Sequence, residues 1–250
     1  MGDRPNGMIR PDDVPSPRPA LVGISHGTSS PHGQRAIARL MDVVASVDAA
    51  ILVRSGFVDM QRPTIPETLA SVPEESRSVV VPLLLSAGYH VHVDLTEATR
   101  DLAPRVVLAD ALGPDPRLIT ILRRRLRDAG CGPDDVVILA AAGSSDRRAL
   151  GDCRRVRNGL ADELGREVHA AFLSAAEPSL SDAINRVRDT QPGRRIVVSS
   201  YLLAPGYFQS LIERSNADAV TAPLLTADGP IPAGLVDLIH DRYHAAIARP

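Results

Sequence analysis

The chain repeats itself, and this internal duplication restricts its fold more than any other feature of the sequence. Three segments of the first half recur in the second half, in the same order, at offsets of 116, 115 and 118 residues. The first segment, SHGTS at residues 25–29, recurs as AAGSS at residues 141–145. Order and spacing retained over such a length are typical of a duplicated unit, so we expect two domains with the same fold.

Within each copy, short apolar runs alternate with longer amphipathic stretches. The predicted strands span residues 20–25, 49–53, 78–85 and 105–109 in the first copy, and 135–140, 168–172, 196–203 and 219–221 in the second. The predicted helices span residues 31–46, 64–72, 91–101 and 116–129, then 147–164, 179–188, 208–215 and 232–247. This alternation predicts an α/β protein made of two similar domains, each a mainly parallel sheet flanked by helices.

The domain limits follow from composition. Residues 1–18 are rich in proline and charge, and we expect a disordered N-terminal arm without a signal-peptide core. Glycine, proline and aspartate concentrate at residues 128–134, which places a domain boundary near residue 132. The predicted domains are therefore residues 19–131, which carry the site described below, and residues 132–250, which form a degenerate copy.

Composition excludes several classes of protein. The content of 44% hydrophobic and 23% charged residues is typical of a globular protein, and the net charge of −2 gives no general attraction to nucleic acid or to anionic membranes. Two cysteines in unrelated contexts indicate neither a disulfide framework nor a cysteine-ligated iron–sulfur cluster. No apolar run reaches the length of a membrane span. We therefore expect a cytoplasmic protein, and the sequence leaves open whether it is a monomer or a homo-oligomer.

Chemistry distinguishes the two copies. The first copy has His26, Asp59 and His90 where the second has Ala142, Ser174 and Phe208. All three positions follow predicted strands, and the carboxyl ends of parallel strands meet along one crevice. Because the second copy keeps the surrounding turns without these side chains, a role in the scaffold does not explain them. Two histidines and one carboxylate at one sheet edge predict a metal site.

Neighbouring residues could support this site. If a helix begins near Val91, Asp94 shares a face with His90 and could orient its imidazole, whereas His92 turns toward the rim. Signatures of other chemistries are missing from the sequence: there is no GxGxxG after a strand, no GxxxxGK[ST], no GxSxG and no HExxH.

These residues also carry a resemblance to a known family. The pattern SHGT at residues 25–28, GFVD at 56–59 and GYHVHVD at 88–94 resembles the sirohydrochlorin chelatases of the CbiX and SirB type, which are class II chelatases. The similarity covers about residues 18–248 and includes the second half, as in the long, two-domain actinobacterial form. It implies an active crevice between two similar α/β domains.

The resemblance also implies roles for individual residues. In the family, the histidine of the HG motif and the histidine after GY bind the metal and assist proton removal, which corresponds here to His26 and His90. Many members carry glutamate where this chain has Asp59, a shorter carboxylate that could be a third ligand or supply charge compensation. The metal is the substrate, Fe²⁺ or alternatively Co²⁺, and neither a nucleotide nor an iron–sulfur cluster is expected.

The implied organic substrate is a tetrapyrrole, a flat apolar ring bordered by carboxylates. Its pocket should have apolar walls and a rim of cations or amides. Backbone amides at the start of the helix after His26 could bind one carboxylate. The candidate substrate-binding residues are Gly27, Thr28, Ser29, Gly88, Tyr89, Arg54, Arg62, Arg147 and Arg148.

Other functions remain open at this point. The sequence favours insertion of Fe²⁺ into sirohydrochlorin to give sirohaem, but the same ligands accept Co²⁺, as cobalamin biosynthesis would require. A nonheme Fe(II) oxygenase also uses two histidines and one carboxylate, although usually as HxD or HxE on a jelly roll. A metal-carrying protein without catalysis is the third alternative.

Overall fold

The computed structural model describes residues 18–86 and 89–249, and for residues 89–94 it describes the backbone alone. The predicted N-terminal arm therefore lies almost entirely outside the described residues. So does Gly88, together with the side chains of Tyr89, His90, His92 and Asp94.

Each half forms a four-stranded parallel sheet. In the first half the strands are β1 (Ala20–Ser25), β2 (Val53–Phe57), β3 (Ser78–Pro82) and β4 (Val106–Leu108), and in the second half β5 (Val136–Ala141), β6 (Val168–Phe172), β7 (Ile196–Tyr201) and β8 (Ala219–Val220). The sheet orders are β2-β1-β3-β4 and β6-β5-β7-β8. The same order in both halves confirms the predicted fold class and agrees with the duplication.

Helices connect the strands throughout. They are α1 (Pro31–Val47), α2 (Ile65–Ala70), α3 (Tyr89–Arg100), α4 (Pro116–Asp128), α5 (Arg147–Leu164), α6 (Leu180–Thr190), α7 (Tyr207–Glu213) and α8 (Ala233–Ile247). The residues before α1, α2 and α6 are Ser30, Thr64 and Ser179, whose side chains accept a backbone N–H of the first turn. These caps satisfy donors that a helix start otherwise leaves unpaired.

The second strand was predicted four residues too early. The prediction followed the apolar run at residues 49–53, whereas β2 begins at Val53 and includes Arg54 and Ser55. β2 is an edge strand and its residues are mostly half-buried, so apolar content does not mark it. Ile51 is buried in the turn before the strand. The repeat carries the better signal, because the offset of the second copy places β6 opposite residues 53–57.

The third strand of each half is shorter than predicted. β3 ends at Pro82 and β7 at Tyr201, whereas the apolar runs continue to residues 85 and 203. The residues beyond each strand leave the sheet and line a cavity instead. Their apolar character therefore reflects burial outside the sheet.

One hydrophobic core lies between the two sheets, and two helices are exchanged across it. α4, from the first half of the sequence, packs on β7 of the second sheet, whereas the C-terminal α8 packs on β3 and β4 of the first sheet. Polar contacts follow the same exchange: the Tyr243 hydroxyl donates to Pro19 O at 2.6 Å, and an Arg125 guanidinium N–H donates to Leu224 O at 2.8 Å. The predicted boundary near residue 132 thus separates two segments that share one core.

Within the described part of the chain, no helix combines the length and the apolar character that crossing a membrane would require.

Candidate functional site

The carboxyl ends of strands from both sheets open onto one cavity between the two halves, with a volume of about 620 Å³. Its described lining consists of residues 25–29, 60–61, 83–86, 141–143 and 201–209, with Ile37 and Cys153. The loops after β1, β2 and β3 form one wall, and the loops after β5 and β7 form the other. The crevice that the sequence predicted is therefore present, and the second copy contributes half of it.

His26 lies on the wall formed by the first half. It follows Ser25, the buried last residue of β1, and its own side chain is exposed. The backbone N–H of Asp59 donates to His26 O at 2.9 Å, which joins the loop after β1 to the loop after β2. The second copy has the same bond, from Ser174 N to Ala142 O at 3.0 Å. The loop geometry thus exists in the second copy without the histidine, so the imidazole is not needed to form the loop.

Gly27 allows this close approach of the two loops. Its φ is +96°, in the left-handed region, and a Cβ there would lie 1.9 Å from Asp59 O. Gly143 repeats the geometry, with φ +93° and 1.9 Å to Ser174 O. Only glycine fits at such a position without moving the partner loop.

Gly27→Ala is expected to lower the free energy of unfolding by about 3 kcal/mol, because left-handed strain adds to a backbone clash. Gly130→Ala is the matched control: Gly130 also has a positive φ, +68°, but a Cβ there meets nothing within 4 Å. That variant should lose only about 1 kcal/mol. Urea unfolding of both variants measures the difference, and equal losses would contradict the role given to the loop contact.

Asp59 is held by its own loop. Its Oδ1 accepts the Met60 N–H at 2.7 Å, and its side chain is exposed. The described cavity lining includes the next two residues, Met60 and Gln61, but not Asp59. Gln61 Oε1 accepts the Thr28 N–H at 2.9 Å and so fixes the turn after His26. The structure thus brings the backbone of Asp59 beside His26 and directs its carboxylate toward the Met60 N–H.

The side chain of the third predicted residue, His90, lies outside the described residues. The chain runs from Ser86, which lines the cavity, toward α3, whose second residue is His90, but the side chains of Tyr89 and His90 and all of Gly88 are outside the described residues. Among the side chains that are described, no three histidines, cysteines or carboxylates cluster as a metal site would require. The joint placement of His26 and His90 therefore stays a prediction.

None of the four candidate arginines is part of the described cavity lining. Arg54 was expected in a loop, but the later start of β2 makes it the second residue of the strand, at the amino end. Arg62 follows the same strand and pairs with Glu67. Arg147 and Arg148 are exposed in the first turn of α5, four and five residues beyond Gly143. Arg62 directly follows Gln61, a residue of the described lining, but its guanidinium is engaged by Glu67.

The wall formed by the second half is mainly apolar. It consists of Ala141, Ala142, Leu202, Leu203 and Phe208, among others. Two aliphatic or aromatic side chains at the cavity are unusually exposed for their type: Met60 at 61%, on the first half, and Tyr207 at 69%, on the second. Exposed apolar groups on both sides of one cavity indicate a site for an apolar ligand.

Two ionisable groups of the second half also lie at the cavity and were not anticipated. The Tyr201 hydroxyl donates to Leu85 O at 2.8 Å, and burial raises the pKa of this phenol well above its ordinary value. Burial, together with the Asp152 carboxylate, raises the pKa of the Cys153 thiol to about 11. Both groups are therefore protonated at neutral pH. Tyr201 replaces Leu83 of the first copy, a difference that comparison of the repeats could have revealed.

Solved structures share this fold. SirB from Bacillus subtilis with Fe³⁺ is similar with a TM-score of 0.78 and 20% identity, over 92% of this chain and 96% of that one. A structure described as CbiX, the terminal enzyme for biosynthesis of siroheme in denitrifying bacteria, has a TM-score of 0.62 and 18% identity, over 89% and 98%. At these identities the likeness establishes the fold, two parallel sheets as in class II chelatases.

Sequence relatives point the same way. The sirohydrochlorin cobaltochelatase of Methanopyrus kandleri is 25% identical over 137 residues, which cover 44% of this chain and 96% of the relative. That of Methanocaldococcus jannaschii is 30% identical over 78 residues, or 30% of this chain and 54% of the relative. The CbiX family model matches residues 20–129 and again residues 136–229, one match for each copy. The chain therefore belongs to the CbiX family.

Proposed function

We propose that the protein inserts a divalent metal into sirohydrochlorin, with Fe²⁺ as the ion and sirohaem as the product. The observation that carries the proposal is the cavity of about 620 Å³, with a histidine loop on one wall and an apolar surface on the other. Pockets for organic ligands commonly have volumes of about 300–1,000 Å³. Membership of the CbiX family and the names of the relatives support the choice of reaction and ring.

The reaction exchanges one divalent ion for two protons of the pyrrole nitrogens. We assign metal binding and proton acceptance to His26 and, by the family resemblance, to His90. Neutral imidazole is a ligand of intermediate softness that suits Fe²⁺ and Co²⁺, and it takes up a proton near neutral pH. The Cys153 thiol has a pKa of about 11, so it is a poor competitor for the ion at neutral pH. No nucleotide takes part.

The geometry around Asp59 supports charge compensation better than direct ligation. Its carboxylate accepts the Met60 N–H and is not part of the described cavity lining. It nevertheless lies on the loop bonded to His26, where a negative charge favours a nearby cation. We therefore assign to Asp59 an auxiliary role in holding the loop and balancing the charge of the ion.

The ring would lie against the apolar wall of the second half, between Met60 and Tyr207. Its carboxylates need donors at the edge of the cavity. The Thr28 N–H is already used by Gln61, so the amides of Gly27 and Ser29 are the remaining candidates in this turn. Arg62 pairs with Glu67 and Arg148 with Asp146, so we assign this role first to Arg147, which is exposed at the start of α5.

Cobalt insertion is the second candidate, because the relatives named above are cobaltochelatases. The same histidines would bind Co²⁺, and the affinity order of divalent metals makes selection by the protein alone difficult. Nothing in the parallel α/β fold supports the oxygenase alternative, which usually uses a jelly roll.

The test is an anaerobic assay of the purified protein with sirohydrochlorin and either Fe²⁺ or Co²⁺, followed by the visible absorption of the ring. We expect insertion well above the uncatalysed rate for at least one ion, and the ratio of the two rates distinguishes the two candidates. If the absorption of the ring changes no faster with the protein than without it, for both ions, the proposal is contradicted and a metal-carrying role is left.

A further inference from the structure

The last residue of β1 carries a hydroxyl that makes no hydrogen bond to the described part of the chain. Ser25 is 5% exposed, and its Oγ has no hydrogen-bond partner among the described residues. It also lines the cavity, immediately before His26. A buried hydroxyl without a hydrogen-bond partner lowers the stability of the fold. Its presence beside the proposed reaction centre therefore indicates that a bound ligand supplies the missing hydrogen bond.

The second copy shows that the scaffold does not need this hydroxyl. The residue at the same position of β5 is Ala141, which is 3% exposed and lines the opposite side of the same cavity. Both residues pair with the edge strand of their own sheet in the same register, Ser25 with Phe57 of β2 and Ala141 with Phe172 of β6. Alanine therefore satisfies the strand, and the serine is specific to the copy that carries His26.

The chemistry of the position restricts its partner. A carboxylate of the ring would lose its hydration at this buried position and gain only one neutral hydroxyl, which is strongly unfavourable. A pyrrole nitrogen is neutral, and a hydroxyl can accept from its N–H or donate to its lone pair. The direction of Oγ depends on a single torsion, χ1, so one rotation changes the group to which it can hydrogen-bond.

Resting on the proposed function, we infer that the Ser25 hydroxyl hydrogen-bonds a pyrrole nitrogen of the metal-free ring and so distinguishes substrate from product. In the metallated ring all four nitrogens coordinate the ion and cannot make this bond. The bond is therefore lost when the metal enters, which favours release of the product. Ser25 acts as a substrate-binding residue for the metal-free ring, next to the histidine that binds the ion.

The experiment measures binding without turnover. Metal-free sirohydrochlorin and, separately, sirohaem are titrated into the metal-free full chain under anaerobic conditions, and their visible absorption or fluorescence reports binding. Ser25→Ala should weaken binding of sirohydrochlorin about tenfold and leave that of sirohaem unchanged, since one hydrogen bond to a buried group is lost. Its melting temperature without ligand should not fall, because an unpaired buried hydroxyl is removed. Ser25→Cys, close in shape, should lose the same preference.

Ser199→Ala is the matched control. Ser199 is a buried strand serine whose Oγ likewise has no partner among the described residues, but it is not part of the described cavity lining. This variant should bind both rings as the wild type does. Equal weakening of both rings by Ser25→Ala, or no weakening of either, would overturn the inference, as would a lowered melting temperature. Failure of the wild type to bind sirohydrochlorin at all would instead contradict the proposed function.

Discussion

Alanine in place of His26 is expected to reduce the rate of metal insertion by about 10²- to 10⁴-fold, the usual contribution of a positioned proton acceptor. The side chain is exposed, and the loop around it forms in the second copy with alanine at this position. The variant should therefore fold normally, with a free energy of unfolding within about 0.5 kcal/mol of the wild type. A large loss of rate without a loss of stability is the signature of a chemical role.

The measurement is the anaerobic insertion assay, together with urea unfolding. His32→Ala is the control, since His32 is an exposed histidine of the first turn of α1, outside the described cavity lining. We expect that control to keep the wild-type rate, His90→Ala to lose activity like His26→Ala, and Asp59→Asn to lose less. Wild-type rates in both the His26 and the His90 variants would refute the assignment of the site.

Separating the chain at the predicted domain boundary should unfold its first half. Residues 19–131 alone contain the complete first sheet but lack α8, the helix that covers β3 and β4. They also retain α4, whose apolar face packs on the second sheet in the intact chain. We expect this fragment to aggregate or to remain without fixed tertiary structure. The face of the first sheet that α8 normally covers and the face of α4 that normally packs on the second sheet are both left in water.

The contribution of α8 can be estimated from its side chains. Leu235, Leu238, Ile239 and Tyr243 are at most 1% exposed. Truncation of one such residue to alanine commonly costs about 2–5 kcal/mol, so loss of the whole helix is comparable to the usual domain stability of about 5–15 kcal/mol. The helix is therefore indispensable to a sheet formed by residues more than a hundred positions earlier in the chain.

Circular dichroism in the near ultraviolet and the thermal transition of the fragment test this expectation. A matched pair of point variants tests the contribution of α8 quantitatively. Leu238→Ala should lower the free energy of unfolding by about 3 kcal/mol. Asp237 is exposed on the same helix, so Asp237→Ala should change it by less than about 0.5 kcal/mol. A fragment of residues 19–131 with a cooperative transition would show that the first domain is independent of α8.

The sequence was most informative where local chemistry decides the structure. Strand β1 and helix α5 have the predicted limits, because β1 is a fully buried, largely apolar run and the helix has clear limits in Asp146 and Gly165. The edge strand β6 also has the predicted limits. Comparison of the two copies singled out His26 as a candidate site residue. The second copy forms the same turn with Ala142, so the turn does not need the histidine. The limits of the edge strand β2 were predicted wrongly, because its residues Arg54, Ser55 and Gly56 are not apolar and its pairing with β1 defines it.

By itself, then, the sequence determined the two-copy α/β architecture and predicted which copy carries the chemistry, since apolar periodicity and the differences between repeats are both local properties of the chain. The tertiary structure alone decided which residues share the cavity: Met60 and Tyr207 on its two sides, the unpartnered hydroxyl of Ser25, and the direction of the Asp59 carboxylate. It also decided the exchange of α4 and α8 between the sheets. Contacts between segments far apart in sequence depend on how the elements pack, and no local pattern encodes that packing.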